Sequence, residues 1–187
     1  MKMKFRFLLI LFVPILLISC DNEILPKPKG FLRLEYPEAS YQKIENGCPY
    51  SIEISNESMI IFENNCWAKI NYPKLNATIH LTFRDITNNL NSALQDVEKL
   101  TFEHTIKADA INSQPFENKS KKIYGKLITV EGDVASNRQF YVTDSIKNLL
   151  YGTLYFKVKP NYDSILPTIN YLEKDIKNIM ESVEWKN

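Results

Sequence analysis

Five glycines in 187 residues, at Gly30, Gly47, Gly125, Gly132 and Gly152, are too few and too scattered to build a phosphate-cradling loop. That excludes the usual nucleotide enzymes. With nine prolines beside them the chain is neither collagen-like nor of low complexity, and its length fits one globular domain. Neither charge sign is in excess. Lys and Arg number 23 against 22 Asp and Glu, a formal net charge of +1, so no basic stripe is available to displace the counterions of a nucleic acid. Histidine is scarcer still. A serine-type hydrolase needs a nucleophile, an imidazole and an orienting acid to converge, and only His80 and His104 are on offer. Each reads as structural, His80 on a strand beside Thr82 and Arg84, His104 at the end of a helical stripe. GxSxG, HExxH and acidic calcium-loop patterns are missing. Asp109, Glu131, Asp133, Asp144 and Asp163 sit at element ends and leave a carboxylate-only metal site as the one metal reading with ligands to hand. No catalytic residue and no cofactor is expected.

What the chain does have begins at its amino terminus. Lys2, Lys4 and Arg6 precede an apolar run from Phe7 to Ile18, the form of a secretory signal. Twelve helical residues cover roughly 18 Å, short of the roughly 30 Å of a bilayer's hydrocarbon core, so removal is expected and not a permanent span. The run ends in Leu17-Ile18-Ser19-Cys20, which resembles the bacterial lipoprotein box. Residues 1–19 then form a signal peptide, and Cys20 becomes a lipidated first residue. Acyl chains burying roughly 0.8 kcal/mol per methylene make such attachment lasting. The remaining 168 residues carry 20 basic and 22 acidic groups, with no polybasic patch to hold a membrane surface. Residues 20–30, through Pro26-Lys27-Pro28-Lys29-Gly30, read as a semi-rigid tether, and residues 31–187 as the globular domain. The expected membrane contact is through the acyl chains, in a cell-envelope, periplasm-facing setting.

Export puts the other two cysteines, Cys48 and Cys66, in an oxidising compartment, where an even pair is expected to bond. If Tyr50–Ile54, Met59–Phe62 and Trp67–Tyr72 form a three-strand meander, its first and third strands start at the same end and a bridge is within reach. It would contribute roughly 3 kcal/mol on chain-entropy grounds. The rival readings, a redox couple or a metal site, lack CxxC spacing.

Alternation of apolar and polar residues marks Tyr50 to Ile54 as a strand. It also places Ala77, Ile79, Leu81 and Phe83 on one face and Thr78, His80, Thr82 and Arg84 on the other. Asn88-Asn89 is a natural cap for a helix whose stripe runs Leu90, Leu94, Val97, Thr101, His104. Strands follow at Ile123–Glu131, Phe140–Thr143 and Tyr151–Lys159, with turn residues at Asp144–Asn148. Ile165, Ile169, Leu172, Ile176, Ile179 and Val183 recur at helical steps, capped by Asp163 or Ser164, with Pro167 in the first turn and Glu173 and Lys177 paired on the outer side. The expected fold class is α+β, an antiparallel sheet covered by helices on both faces. That order resembles the Mog1/PsbP-like α/β/α sandwich. Ten Tyr and two Trp, Trp67 and Trp185, supply core and candidate anchors for a protein partner.

Several stretches resemble the gliding-motility lipoprotein GldD family of Bacteroidetes: Tyr72-Pro73-Lys74-Leu75-Asn76-Ala77, His104-Thr105-Ile106-Lys107-Ala108-Asp109-Ala110-Ile111, Gln139-Phe140-Tyr141-Val142-Thr143-Asp144, and Lys159-Pro160-Asn161-Tyr162-Asp163-Ser164-Ile165-Leu166-Pro167. Pro26-Lys27-Pro28-Lys29-Gly30 and the closing Val183-Glu184-Trp185-Lys186 extend the likeness. The resemblance implies a non-enzymatic, lipid-anchored envelope component needed for movement over surfaces, linked to type IX secretion and acting through contact with other gliding or secretion proteins. Only Cys20 carries over as a functional position. A module binding a small ligand or cell-wall fragment between sheet and helix is the second reading, an envelope hydrolase the third.

Overall fold

The computed structural model describes residues 35–87, 89–103, 107–159 and 161–186, without the side chains of Leu100, Phe102 and Glu103. The expected signal peptide, Cys20, the tether and His104 lie outside these residues.

The fold of the described residues is mixed α+β, with two antiparallel sheets and two helices. Strands β1 (Tyr41–Ile44), β2 (Tyr50–Ser55) and β10 (Glu184–Trp185) form a small sheet in the order β1-β2-β10. The large sheet has seven strands: β3 (Met59–Phe62), β4 (Ala68–Tyr72), β5 (Ala77–Asp85), β6 (Ala110–Asn118), β7 (Ile123–Glu131), β8 (Arg138–Thr143) and β9 (Asn148–Phe156). Their order is β3-β4-β5-β9-β8-β7-β6. Helix α1 is Leu90–Glu103 and α2 is Tyr162–Ser182. Every pairing is between antiparallel neighbours, and the β5–β9 seam, with Ile79 opposite Leu154 and Leu81 opposite Gly152, splices the first hairpins to the second set.

Alternation along the central strands sorts side chains into two clusters. Phe140, Val142, Leu150 and Leu154 pack with Leu172, Ile176 and Ile179 of α2. Tyr141, Leu149 and Tyr151 pack with Ala93 and Val97 of α1. Consecutive strand residues point to opposite faces, so the cluster switches with each step along β8 and β9. Gly152 lies opposite Phe140, and a Cβ there would stand 2.1 Å from that ring. The phenyl occupies the space that only glycine leaves.

The expected meander does not form. Tyr50–Ile54 belongs to the small sheet, because β2 pairs with β1 and with β10 from the chain's far end, while β3 and β4 join the large sheet. The Cys48–Cys66 disulfide, with Cα atoms 5.6 Å apart, therefore links the two sheets. It ends a short 3-10 turn, Asn64–Cys66, in which Asn65 and Cys66 hold φ of 60° and 59°. Left-handed backbone at two consecutive non-glycine residues costs on the order of 1 kcal/mol each. The turn is held by the covalent bridge and by the Tyr50 hydroxyl, which donates to the Cys66 carbonyl at 2.8 Å.

Smaller corrections have local causes. Helix α2 is capped by Asn161, whose side chain accepts from Ser164 N at 3.4 Å, and not by Asp163 or Ser164. It stops at Ser182, so Val183 is its C-cap and Glu184-Trp185 turns into strand. The last long strand starts at Asn148, because Asp144 Oδ1 accepts from Ile146, Lys147 and Asn148 N and closes the turn within four residues. It ends at Phe156.

Candidate functional site

Three tyrosines distant in sequence meet around one pocket. Tyr36, ahead of β1, stacks on Tyr171 of α2 with ring centroids 4.4 Å apart and 13° between planes. Its hydroxyl lies 3.0 Å from Thr168 Oγ1, one turn earlier on the same helix. Tyr72 closes β4, and the Pro73–Leu75 turn that follows ends on Asn76 at φ 50°, which sends the chain back into β5 and leaves Lys74 and Leu75 beside the tyrosines. Together with Pro37 these residues enclose a cavity of about 230 Å³. Its inner side is Tyr72 and Tyr171, both buried. Its outer side carries Glu35, Glu57 and Lys74, with Lys74 Nζ 2.7 Å from Glu57 Oε2.

Directly behind the tyrosines lies a buried carboxylate. Asp175 of α2 is 1% exposed and accepts from the Tyr41 hydroxyl at 3.1 Å, tying β1 to the helix. Its second oxygen and the hydroxyls of Tyr72 and Tyr171 make no well-formed hydrogen bond with another described residue. Burial pushes the Asp175 carboxyl above the usual range. The hydroxyls of Tyr41, Tyr72 and Ser55 act against it, Tyr72 from close by but without good bonding geometry. The Tyr41 phenol is pushed up to about 12 by burial, then by the Asp175 charge and their hydrogen bond. Tyr171 is raised by burial and by the negative charges of Asp175 and Glu57. The pocket's walls are therefore aromatic and the potential around them negative.

The residues singled out from sequence are dispersed. His80 stands on β5 edge-on to Tyr155, ring centroids 5.4 Å apart, and is held below the ordinary imidazole range by burial and by the Lys69 cation, with Glu63 opposing. Trp67, 42% exposed, donates from Nε1 to the Phe83 carbonyl at 3.1 Å. Trp185 packs against the main core from the small sheet. The loop carboxylates serve turns: Asp133 accepts from Tyr162 N at 2.7 Å, ahead of α2, and Asp144 closes the β8–β9 loop. Among the described residues no three His, Cys, Asp or Glu side chains gather as a metal ion would require.

Sequence reasoning passed over Asp175 and the pocket. One signal was present. Asp175 falls between Leu172 and Ile179 on the apolar stripe of α2, where a solvated carboxylate has no place.

Compared with known families, the chain matches the gliding motility lipoprotein GldD over residues 21–185. The chain belongs to the GldD family. The matched region takes in the ten strands and two helices of the described residues and every residue of the pocket. Membership makes this a gliding motility lipoprotein and implies a membrane-anchored place in the cell envelope. Among the described residues no helix is long and apolar enough to cross a membrane. Among curated proteins the chain has no significant match.

Proposed function

We propose that this GldD-family chain serves gliding by contact with neighbouring envelope proteins and not by catalysis, in association with type IX secretion. Acyl chains on Cys20 hold it at the membrane, residues 20–30 space it from the bilayer, and residues 31–187 form a periplasm-facing domain. The family match over residues 21–185 carries this reading. A contact role is supported by Met59 and Ile61, 59% and 57% exposed on the end strand β3, with Trp67 close by in the chain at the start of β4. Apolar side chains grouped at a sheet edge that is unpaired among the described residues suit a partner surface. The two clusters that swap along β8 and β9 favour helices on both faces of the sheet, in the manner of a Mog1/PsbP-like α/β/α sandwich.

The test is a photo-crosslinking residue in place of Ile61 in gliding cells, followed by identification of the protein joined to it. An envelope protein of the gliding or secretion machinery is expected. A protein that joins to nothing while motility stays intact contradicts the contact role. His80→Gln with His104→Gln should leave gliding unchanged at normal abundance; loss of gliding there points to catalysis.

A further inference from the structure

The tyrosine pocket has a chemistry of its own. Its walls, Tyr36, Tyr72, Tyr171 and Leu75, offer ring faces and an aliphatic edge, and its outer side holds two carboxylates against one ammonium. Lys74 is already paired to Glu57, so its charge is offset, and its side chain is 80% exposed and free to swing outward. Glu35 has no ion-pair partner among the described residues, which leaves the mouth net negative. An anionic ligand would meet Glu35 and Glu57 unfavourably, and a purely apolar one would leave them unanswered. What fits an aromatic, acid-rimmed slot of about 230 Å³ is a cation on an aliphatic stem.

We propose that this pocket receives an arginine side chain presented by a partner protein, an inference that rests on the contact role proposed above. Arginine suits it better than lysine on three counts. Its guanidinium plane stacks on tyrosine, its fork meets a carboxylate with two parallel hydrogen bonds, and its weaker hydration lowers the cost of entering a half-enclosed site. The stem would lie along Leu75 and Tyr36 with the head between Tyr171 and Glu35 or Glu57. A buried side chain of this kind is a typical anchor of a protein interface.

Two measurements test it. The first uses the full-length lipidated protein in detergent micelles, with tyrosine rings isotope-labelled, titrated with arginine blocked at both ends and with the equally blocked norleucine and glutamate. Arginine should give saturable shifts at Tyr36 and Tyr171 that weaken about fivefold in Glu35→Gln and fall with added salt, while norleucine binds more weakly and glutamate not at all. Equal binding of norleucine, or no saturable shift with arginine, overturns the proposal. The second places a photo-crosslinker at Leu75 in gliding cells. A joined protein whose attachment site lies within a few residues of an arginine supports it. If position 61 captures a neighbour and position 75 captures none, the pocket is not a protein anchor and the contact role stands. If blocked arginine binds but neither position captures a protein, the pocket serves a small free cation, and both the protein source and the contact role fall.

Discussion

The hydroxyl of Tyr41 donates to Oδ1 of Asp175 over 3.1 Å, the one well-formed hydrogen bond that the described residues give to a carboxylate the fold has placed 1% exposed. Because burial raises the folded pKa of Asp175 above its unfolded value, the folded chain binds the proton more tightly. The contribution of Asp175 to stability is then most favourable below the ordinary aspartate range, falls as pH rises through the folded pKa, and is level above it. Asp175→Asn should remove that decline and raise stability near neutral pH by about 1 kcal/mol, since its amide can also donate to the Tyr72 or Tyr171 hydroxyl. Tyr41→Phe, which strips the well-formed hydrogen bond to the carboxylate, should cost about 1–3 kcal/mol at neutral pH. Urea denaturation across pH measures both, and an Asp175→Asn variant less stable than the parent at pH 7 contradicts the account.

Replacing both Cys48 and Cys66 by Ser is expected to lower stability by roughly 3 kcal/mol, the scale for an 18-residue separation. The consequence should be uneven. With the bridge gone, the left-handed turn at Asn65–Cys66 keeps the Tyr50 hydroxyl and the backbone bonds from Glu63 N to the Trp67 carbonyl and from Trp67 N to the Asn64 carbonyl, but no covalent tie, so amide exchange should rise first from Glu63 to Trp67. Unchanged exchange there would mean the turn does not depend on the bridge.

Arg138 of β8, its side chain 5% exposed, donates from Nε to Glu173 Oε2 at 2.6 Å, and Lys177 reaches the other oxygen at 2.7 Å. Burial pushes Glu173 up, but the hydrogen bonds of Lys177 and Arg138 outweigh it and hold the carboxyl below its usual range. Its contribution is therefore complete above the unfolded glutamate pKa and lost as pH falls through the folded one. Arg138→Leu should cost about 2–3 kcal/mol by leaving the inner oxygen of Glu173 unpaired, with Lys177 on the outer one alone, and adding Glu173→Leu should restore much of it. A double variant as unstable as the sum of the singles would show that the pair is not coupled.

Cys20→Ser is expected to move the protein from membrane to soluble fractions without altering the melting temperature of its domain. Fractionation of cells making each form gives the answer; a variant that still sediments with membranes has another anchor.

Sequence alone revealed the elements whose apolar residues recur cleanly. Ile123–Glu131 appears with its expected bounds, and α2 follows its stripe from Ile169 to Ile179. Strand β6 was missed because Pro115 interrupts it and its side chains are mostly exposed, as an end strand allows. Strands β1 and β10 were missed because four and two residues carry no readable period, and β10 finds β2 only across more than a hundred residues of chain. The Cys48–Cys66 pairing was legible from export and number, whereas the geometry assigned to it was not, since nothing local tells β2 to leave the large sheet. The pocket escaped for the same reason. Tyr36, Tyr72 and Tyr171 each look like ordinary core aromatics until the fold brings them together.

The pairing of β5 with β9 has a consequence for how this molecule is made. Residues 77–85 pair early with β4 but find their second neighbour only after residues 148–156 exist, so the early hairpins must wait, with one flank open, until about four-fifths of the polypeptide has emerged. A chain severed anywhere between those segments should yield two fragments that need each other to become soluble. The seam sets a slow, long-range closing step that a holding chaperone would be well placed to guard.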